Sequence, residues 1–226
     1  MARWRLLPYG GKAMQSINRM TSIVMILMFV LSFTNLFGVK IAGASVIIGV
    51  VFFFINKAYE KQPFSNSGLD LKAIRTNFKG RSIWFWIALP LIMDAVSITI
   101  SKLFLPEYIT HVLSRTDTFV SFDKVIIMVI QLAVLALGEE IAWRAFFQKQ
   151  LNKVLPILPT LLISSVLFAF GHITEGNVLI VAYDTFFVFI NSFLYGVIFY
   201  KTNNAWVSAI SHFIANLFSV IVLVFL

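Results

Sequence analysis

Residues 125–148 read VIIMVIQLAVLALGEEIAWRAFFQ. No charge falls between Val125 and Gly138, and then Glu139, Glu140 and Arg144 arrive inside the same apolar run. A spanning helix needs about 20 mostly apolar residues, so this stretch is a membrane span that carries ionisable groups near one end. The rest of the chain agrees. Of 226 residues, 59% are hydrophobic, 12% are charged and 24 are Phe. A soluble domain has about 45–50% apolar and about 25% charged residues. A cytosolic globular domain, a disordered chain and a nucleic-acid module are therefore excluded. With no cysteine there is no disulfide, no thiolate metal site and no Cys nucleophile.

Working outward, seven apolar runs are expected to span: Thr21–Val39, Ile41–Ile55, Ile83–Leu103, Val125–Gln148, Leu155–His172, Val178–Tyr200 and Ala205–Leu226. The second is short and reaches full length if Lys57 and Tyr59 sit at the interface. The fold class is an all-α polytopic membrane bundle. The net charge is +8, and the basic residues sort by side. Arg3, Arg5, Lys12, Arg19, Lys57, Lys61, Lys72, Arg75, Lys79, Arg81, Lys149, Lys153 and Lys201 fall on one side, with Lys40, Lys102, Arg115 and Lys124 on the other. The positive-inside rule then places the N-terminus in the cytoplasm and the C-terminus outside. Ala42-Gly43-Ala44 has the look of a signal cleavage site, but Lys40 and the apolar run that follows favour a helical hairpin. Residues 1–20 form a basic cytoplasmic segment, and 21–226 one transmembrane domain. Within the longest polar stretch, 56–82, Leu69, Leu71, Ile74 and Phe78 share a face, which suggests a short amphipathic helix on the inner membrane surface.

Ionisable groups inside spans are costly and mark function. Glu140 and Arg144 are four apart, on one helix face, and can pair. Glu139 sits about 100° round the helix and has no partner on it. A buried carboxylate without a partner takes up a proton or shares one with a neighbour. Either condition suits a general base near neutral pH. His172 ends the fifth run. His212 and Asn216, again four apart, lie in the seventh and can point into one cavity, each able to donate to a developing oxyanion. Asp94, Asp184 and Asn191 are expected to make interhelical hydrogen bonds. Trp84, Trp86, Trp143 and Trp206 are expected in an interfacial belt.

Three patterns therefore occur in order, each in an apolar run: EExxxR at Glu139–Arg144, FxxxH at Phe168–His172 and HxxxN at His212–Asn216. The ordered set resembles the CAAX protease and bacteriocin-processing family (CPBP, or Abi) of intramembrane endopeptidases, over a catalytic core at 125–226. The resemblance implies that Glu139 is the general base and that His172 helps hold a water. It implies that His212 and Asn216 are oxyanion donors, with Glu140 and Arg144 as the brace. It implies no required cofactor. Zinc on Glu139, His172 and His212 is the second route, with the metal acidifying the water, although no HExxH motif is present. The implied partners are membrane lipid and a peptide or protein substrate in or at the membrane, with no nucleic acid. Small size and compact loops suggest a bacterial member that processes, or confers immunity to, a secreted peptide. A non-catalytic immunity or scaffold protein on the same fold is the alternative, and a proton-coupled transporter a third reading.

This geometry carries a tension. Glu139 stands roughly 14 Å above the inner end of run four, whereas His172 stands roughly 26 Å above Leu155. The fourth and fifth helices are therefore expected to extend below the bilayer, or Pro156 and Pro159 to redirect the start of the fifth.

Overall fold

The structure is a computed structural model that describes residues 16–36, 39–40, 42–61, 63–117, 120 and 124–225. Arg3, Arg5 and Lys12 lie outside the described residues. The elements are α1 (Arg19–Phe33), a two-stranded ladder of β1 (Asn35–Leu36) and β2 (Val39–Lys40), α2 (Ala42–Tyr59), α3 (Phe64–Ser67), α4 (Leu71–Lys79) and α5 (Arg81–Phe104). There follow α6 (Glu107–Asp117), α7 (Val125–Glu140), a π-helical segment Ile141–Gln148, α8 (Lys149–Leu151), α9 (Ile157–Gly171), α10 (Val178–Thr202) and α11 (Ala205–Phe225).

Five stretches among the described residues are long and apolar enough to cross a membrane: Ala42–Tyr59, Arg81–Phe104, Val125–Leu151, Val178–Thr202 and Ala205–Val224. The first and fifth expected runs form shorter apolar helices of 15 residues each. At about 1.5 Å per residue these reach roughly 22 Å, short of a hydrocarbon core of about 30 Å. The first run stops early because Thr34 turns extended and an antiparallel ladder, Asn35 opposite Lys40, reverses the chain into α2. The outward faces are apolar: Ile126 is 78% exposed and Val178 83%. Surfaces of this kind suit acyl chains rather than water.

Local chemistry explains the boundaries. Asn18 and Asn177 accept from the second helical N–H of α1 and α10, and Asp70 does so for α4. Asn203 closes α10 in the left-handed region at φ 46°, and Asn204 then accepts from Trp206 N to start α11. Pro156 caps α9, where its missing N–H costs nothing. The expected amphipathic helix forms as α4. Its Phe78 packs on the Ile83 cluster and stacks on Trp84 at 5.0 Å, while Leu71 stays 63% exposed.

The basic segments meet at one end of the bundle. Lys153 pairs with Glu60 at 2.8 Å, Lys149 donates to the Asn66 carbonyl, and Asn204 donates to the Asp70 carbonyl at 2.7 Å. Glu60, Asn66 and Asp70, Lys149 and Lys153, and the α10–α11 turn are thus neighbours. At the other end, α6 is tied to α10 by Arg115 and Asp184 at 2.8 Å, with His111 at 3.6 Å from the same carboxylate.

Candidate functional site

The site is built on the point where α7 becomes π-helical. Glu140 is the last residue of α7, and all eight residues of the π segment are buried. π segments are rare and occur often at functional sites. The backbone approaches closely on two sides. A Cβ on Gly49 of α2 would lie 2.6 Å from the Ala142 side chain, and one on Gly196 of α10 would lie 2.7 Å from Leu161. Glycine at both positions lets α2, α9 and α10 close round the segment.

Glu140 and Arg144 are fully buried and pair at 3.4 Å. Arg144 also donates to Ser192 Oγ on α10 at 2.9 Å, and its guanidinium stands 5.3 Å from the Phe168 ring. One turn on, Gln148 donates to the Gly196 carbonyl at 3.0 Å. A fully desolvated ion pair holds only with supporting bonds of this kind.

His212 of α11 faces both glutamates. Its Nδ1 is 3.2 Å from Glu140 Oε1, and its Nε2 is 3.7 Å from Glu139 Oε2. A carboxylate only accepts, so Nδ1 carries a hydrogen and donates to Glu140. Tyr195 of α10 stacks on the imidazole at 4.3 Å and 18°. Glu139 is the accessible member of the pair, its side chain 20% exposed against 0% for Glu140.

His172 is reached through Phe168. It caps α9, its Nδ1 lies 2.9 Å from the Phe168 carbonyl, and its ring is 4.6 Å from the Phe168 ring. Phe168 in turn lies 6.2 Å from His212. Phe168 sits beside Arg144 of the π segment, and His172 follows one turn later at the end of α9. The fourth run continues as helix through the π segment to Leu151, and α9 starts at Ile157, after Pro156. The Nδ1 bond to a carbonyl places the hydrogen there and leaves Nε2 with a lone pair when the ring is neutral. No direct bond joins His172 to either glutamate among the described residues. Asn216 lies one turn beyond His212, partly buried, and makes no hydrogen bond among the described residues.

As placed, Glu139, His172 and His212 are not grouped as a metal-binding set. Among the described residues no three His, Cys, Asp or Glu side chains are grouped to hold an ion. His212 turns one nitrogen to each carboxylate, and His172 commits Nδ1 to a backbone carbonyl.

The other polar residues form interhelical links. Asn191 donates to Asp94, and Ser219 donates to the same carboxylate at 2.8 Å. Asp184 pairs with Arg115 and His111, partners not foreseen from the chain. Trp143 departs from the expected belt: it is 3% exposed, packed 5.2 Å from Phe147 and 6.1 Å from Phe168. The π segment faces neighbours all round, so an aromatic near its end is core. Ser192 and Tyr195 were missed. The only signal was four-residue spacing along α10, in Asn191–Tyr195 and Ser192–Gly196, which places pairs on common faces.

An apolar groove of about 780 Å³ opens between α9 and α10, walled by Val166, Phe170, Ile173, Val181, Phe186 and Phe189.

Residues 121–218 match a family model described as type II CAAX prenyl endopeptidase Rce1-like. No curated protein matches the chain significantly, and no solved structure does. The resemblance drawn from the three ordered motifs is borne out: the matched segment is CAAX-protease-like, in an all-α integral membrane chain.

Proposed function

We propose that this chain, Rce1-like over residues 121–218, is an intramembrane endopeptidase that hydrolyses a peptide bond of a membrane-associated peptide or protein. The observation that carries the reading is His212 set against both Glu139 and Glu140, on a wall braced by a fully buried Arg144. Two adjacent carboxylates and one arginine exceed what packing an apolar bundle needs, and such groups in a membrane mark function.

Glu139, the accessible carboxylate, is the general base. It takes a proton from water as the water oxygen bonds to the peptide carbonyl carbon, and the carbonyl electrons move to oxygen. The tetrahedral species collapses, the C–N bond breaks, and the amine leaves with the proton held on Glu139. His172 accepts a hydrogen bond from the water at Nε2. Asn216 donates to the oxyanion from its side-chain amide, and His212, carrying a hydrogen on both nitrogens, donates from Nε2 while Nδ1–H stays on Glu140. Glu140 and Arg144 brace the pair. The water is activated by glutamate, without a required metal.

The apolar groove between α9 and α10 supports a substrate drawn from the bilayer. Bacterial peptide processing, of a bacteriocin or signalling peptide, and self-immunity are the roles that fit by family analogy. The meeting of the basic segments at one bundle end supports a cytoplasmic N-terminus and an external C-terminus.

The test is cleavage of peptides in proteoliposomes, read by mass spectrometry, with an unmodified membrane-inserted peptide and a prenylated CAAX peptide as separate substrates. Glu139→Ala is expected to abolish cleavage at unchanged membrane abundance. Full activity in that variant removes the protease reading and leaves a binding or immunity role. Insensitivity to chelator is expected for glutamate chemistry.

A further inference from the structure

Tyr195 lies outside all three motifs, yet it is the side chain in closest face contact with His212. It is 2% exposed, and the two rings are nearly parallel, 18° apart at 4.3 Å. Phe168 approaches the imidazole at a steep angle, 68° at 6.2 Å. The last torsion of histidine is broad and roughly two-fold. A half-turn about it exchanges each nitrogen for a carbon, and both carboxylate contacts of His212 are lost. To make that half-turn the ring must pass through an upright position, and its edge would then strike a flat neighbour at 4.3 Å.

We propose that Tyr195 is a positioning residue whose ring holds the His212 imidazole in the orientation that meets Glu140 with Nδ1 and Glu139 with Nε2. Its own placement is fixed from α5. Asn191, one turn before Tyr195, donates to Asp94, which also accepts from Ser219 of α11 at 2.8 Å. Ser211, the residue before His212, donates to the Ile87 carbonyl at 2.9 Å. Pro90 lies within the same stretch of α5. The stacked pair is thus bracketed by two fastenings, at Ser211–Ile87 and at Ser219–Asp94, and α10 is pinned by the second. A phenyl ring can do the same work; an aliphatic side chain of similar volume cannot.

The inference rests on His212 as a site residue, but its test reads ring orientation rather than cleavage, so a chain without peptidase activity still returns an answer. The chain has 3 histidines. Full-length protein labelled with ¹⁵N-histidine in nanodiscs therefore shows three imidazole sets, which His111→Gln and His172→Gln assign. In the wild type one His212 orientation is expected, with a hydrogen-bonded Hδ1 signal and a through-space contact to the Tyr195 ring protons. Tyr195→Phe keeps that signature. Tyr195→Leu loses the Hδ1 signal and averages the His212 resonances, while the His111 set is unmoved. An unchanged His212 signature in Tyr195→Leu overturns the proposal. If that variant does not accumulate, the wild type decides alone. Two exchanging His212 orientations, or no ring-to-ring contact, overturn the proposal, and a single orientation with the contact sustains it.

Discussion

His212 Nδ1 lies 3.2 Å from Glu140 Oε1, linking α11 to the start of the π segment across 72 residues of sequence. Glu140 spends its other oxygen on Arg144, at 3.4 Å. One carboxylate therefore serves as brace for two cationic or donor groups, and its neighbour Glu139 is left as the accessible one.

That division predicts an asymmetry between single and double variants. Glu140→Gln leaves Arg144 charged in a fully buried position. Breaking one side of such a pair costs about 3–5 kcal/mol. Arg144→Met strands Glu140 in the same way. The double variant Glu140→Gln/Arg144→Met is expected to be less destabilised than the sum of the two, because no uncompensated charge remains. Thermal unfolding in detergent checks this; additive losses count against the pair as a buried unit.

Phe168 is 3% exposed and contacts His172, Trp143, His212 and the Arg144 guanidinium. Phe168→Ala removes a core ring at a cost of about 3–5 kcal/mol. Phe168→Leu keeps much of the volume and loses the cation–π contact, worth about 0.5–2 kcal/mol. Unfolding midpoints in the order wild type, Leu, Ala are expected. Equal midpoints for Leu and Ala would show that packing at this position is not what holds α9 to the π segment.

Gly49 and Gly43 offer a matched pair on one helix. A Cβ at Gly49 meets Ala142 Cβ at 2.6 Å, Met28 at 2.8 Å and the Ala142 backbone at 3.0 Å, whereas at Gly43 nothing lies within 4 Å. Overpacking of this kind costs about 1–3 kcal/mol. Gly49→Ala is therefore expected to destabilise. Gly43→Ala is expected to be neutral or better, since alanine favours helix. The comparison needs only membrane abundance and a melting midpoint.

Glu60 supplies a pH dependence outside the spans. Partial burial pushes its carboxyl up, but hydrogen bonds from Lys153 and Asn56, with the Lys153 charge, outweigh that and hold it below the ordinary carboxylate range. A group depressed in the folded state stabilises above its unfolded value, about 4.3 for glutamate. It loses that contribution as pH falls through the lower folded value. The loss is confined to acid and, for a partly exposed pair, amounts to at most about 1 kcal/mol. Glu60→Gln is expected to lower the midpoint at pH 7 slightly and to flatten its fall below about pH 4. A wild-type midpoint that rises on acidification contradicts the sign.

Much of the fold was legible because lipid imposes a simple rule: backbone groups are satisfied within helices, and outward faces are apolar. Apolar runs therefore located the helices, and the capping residues Asn18, Asp70 and Asn177 lie where they begin. Run length was less reliable. The first run reads through to Val39, yet the chain turns at Thr34, because a two-residue ladder is as compatible with apolar residues as a helix is.

At the site, the chain alone determined which residues are chemically out of place in lipid: two glutamates, an arginine, two histidines and an asparagine, with Glu140 and Arg144 on a common face. Helical spacing reaches only four residues along one helix, so it said nothing about partners on others. The tertiary structure decided that His212 takes Glu140 with one nitrogen and faces Glu139 with the other, and that His172 arrives by way of Phe168. It also seated Tyr195 against the imidazole, since which face of α10 meets α11 depends on packing across the whole bundle.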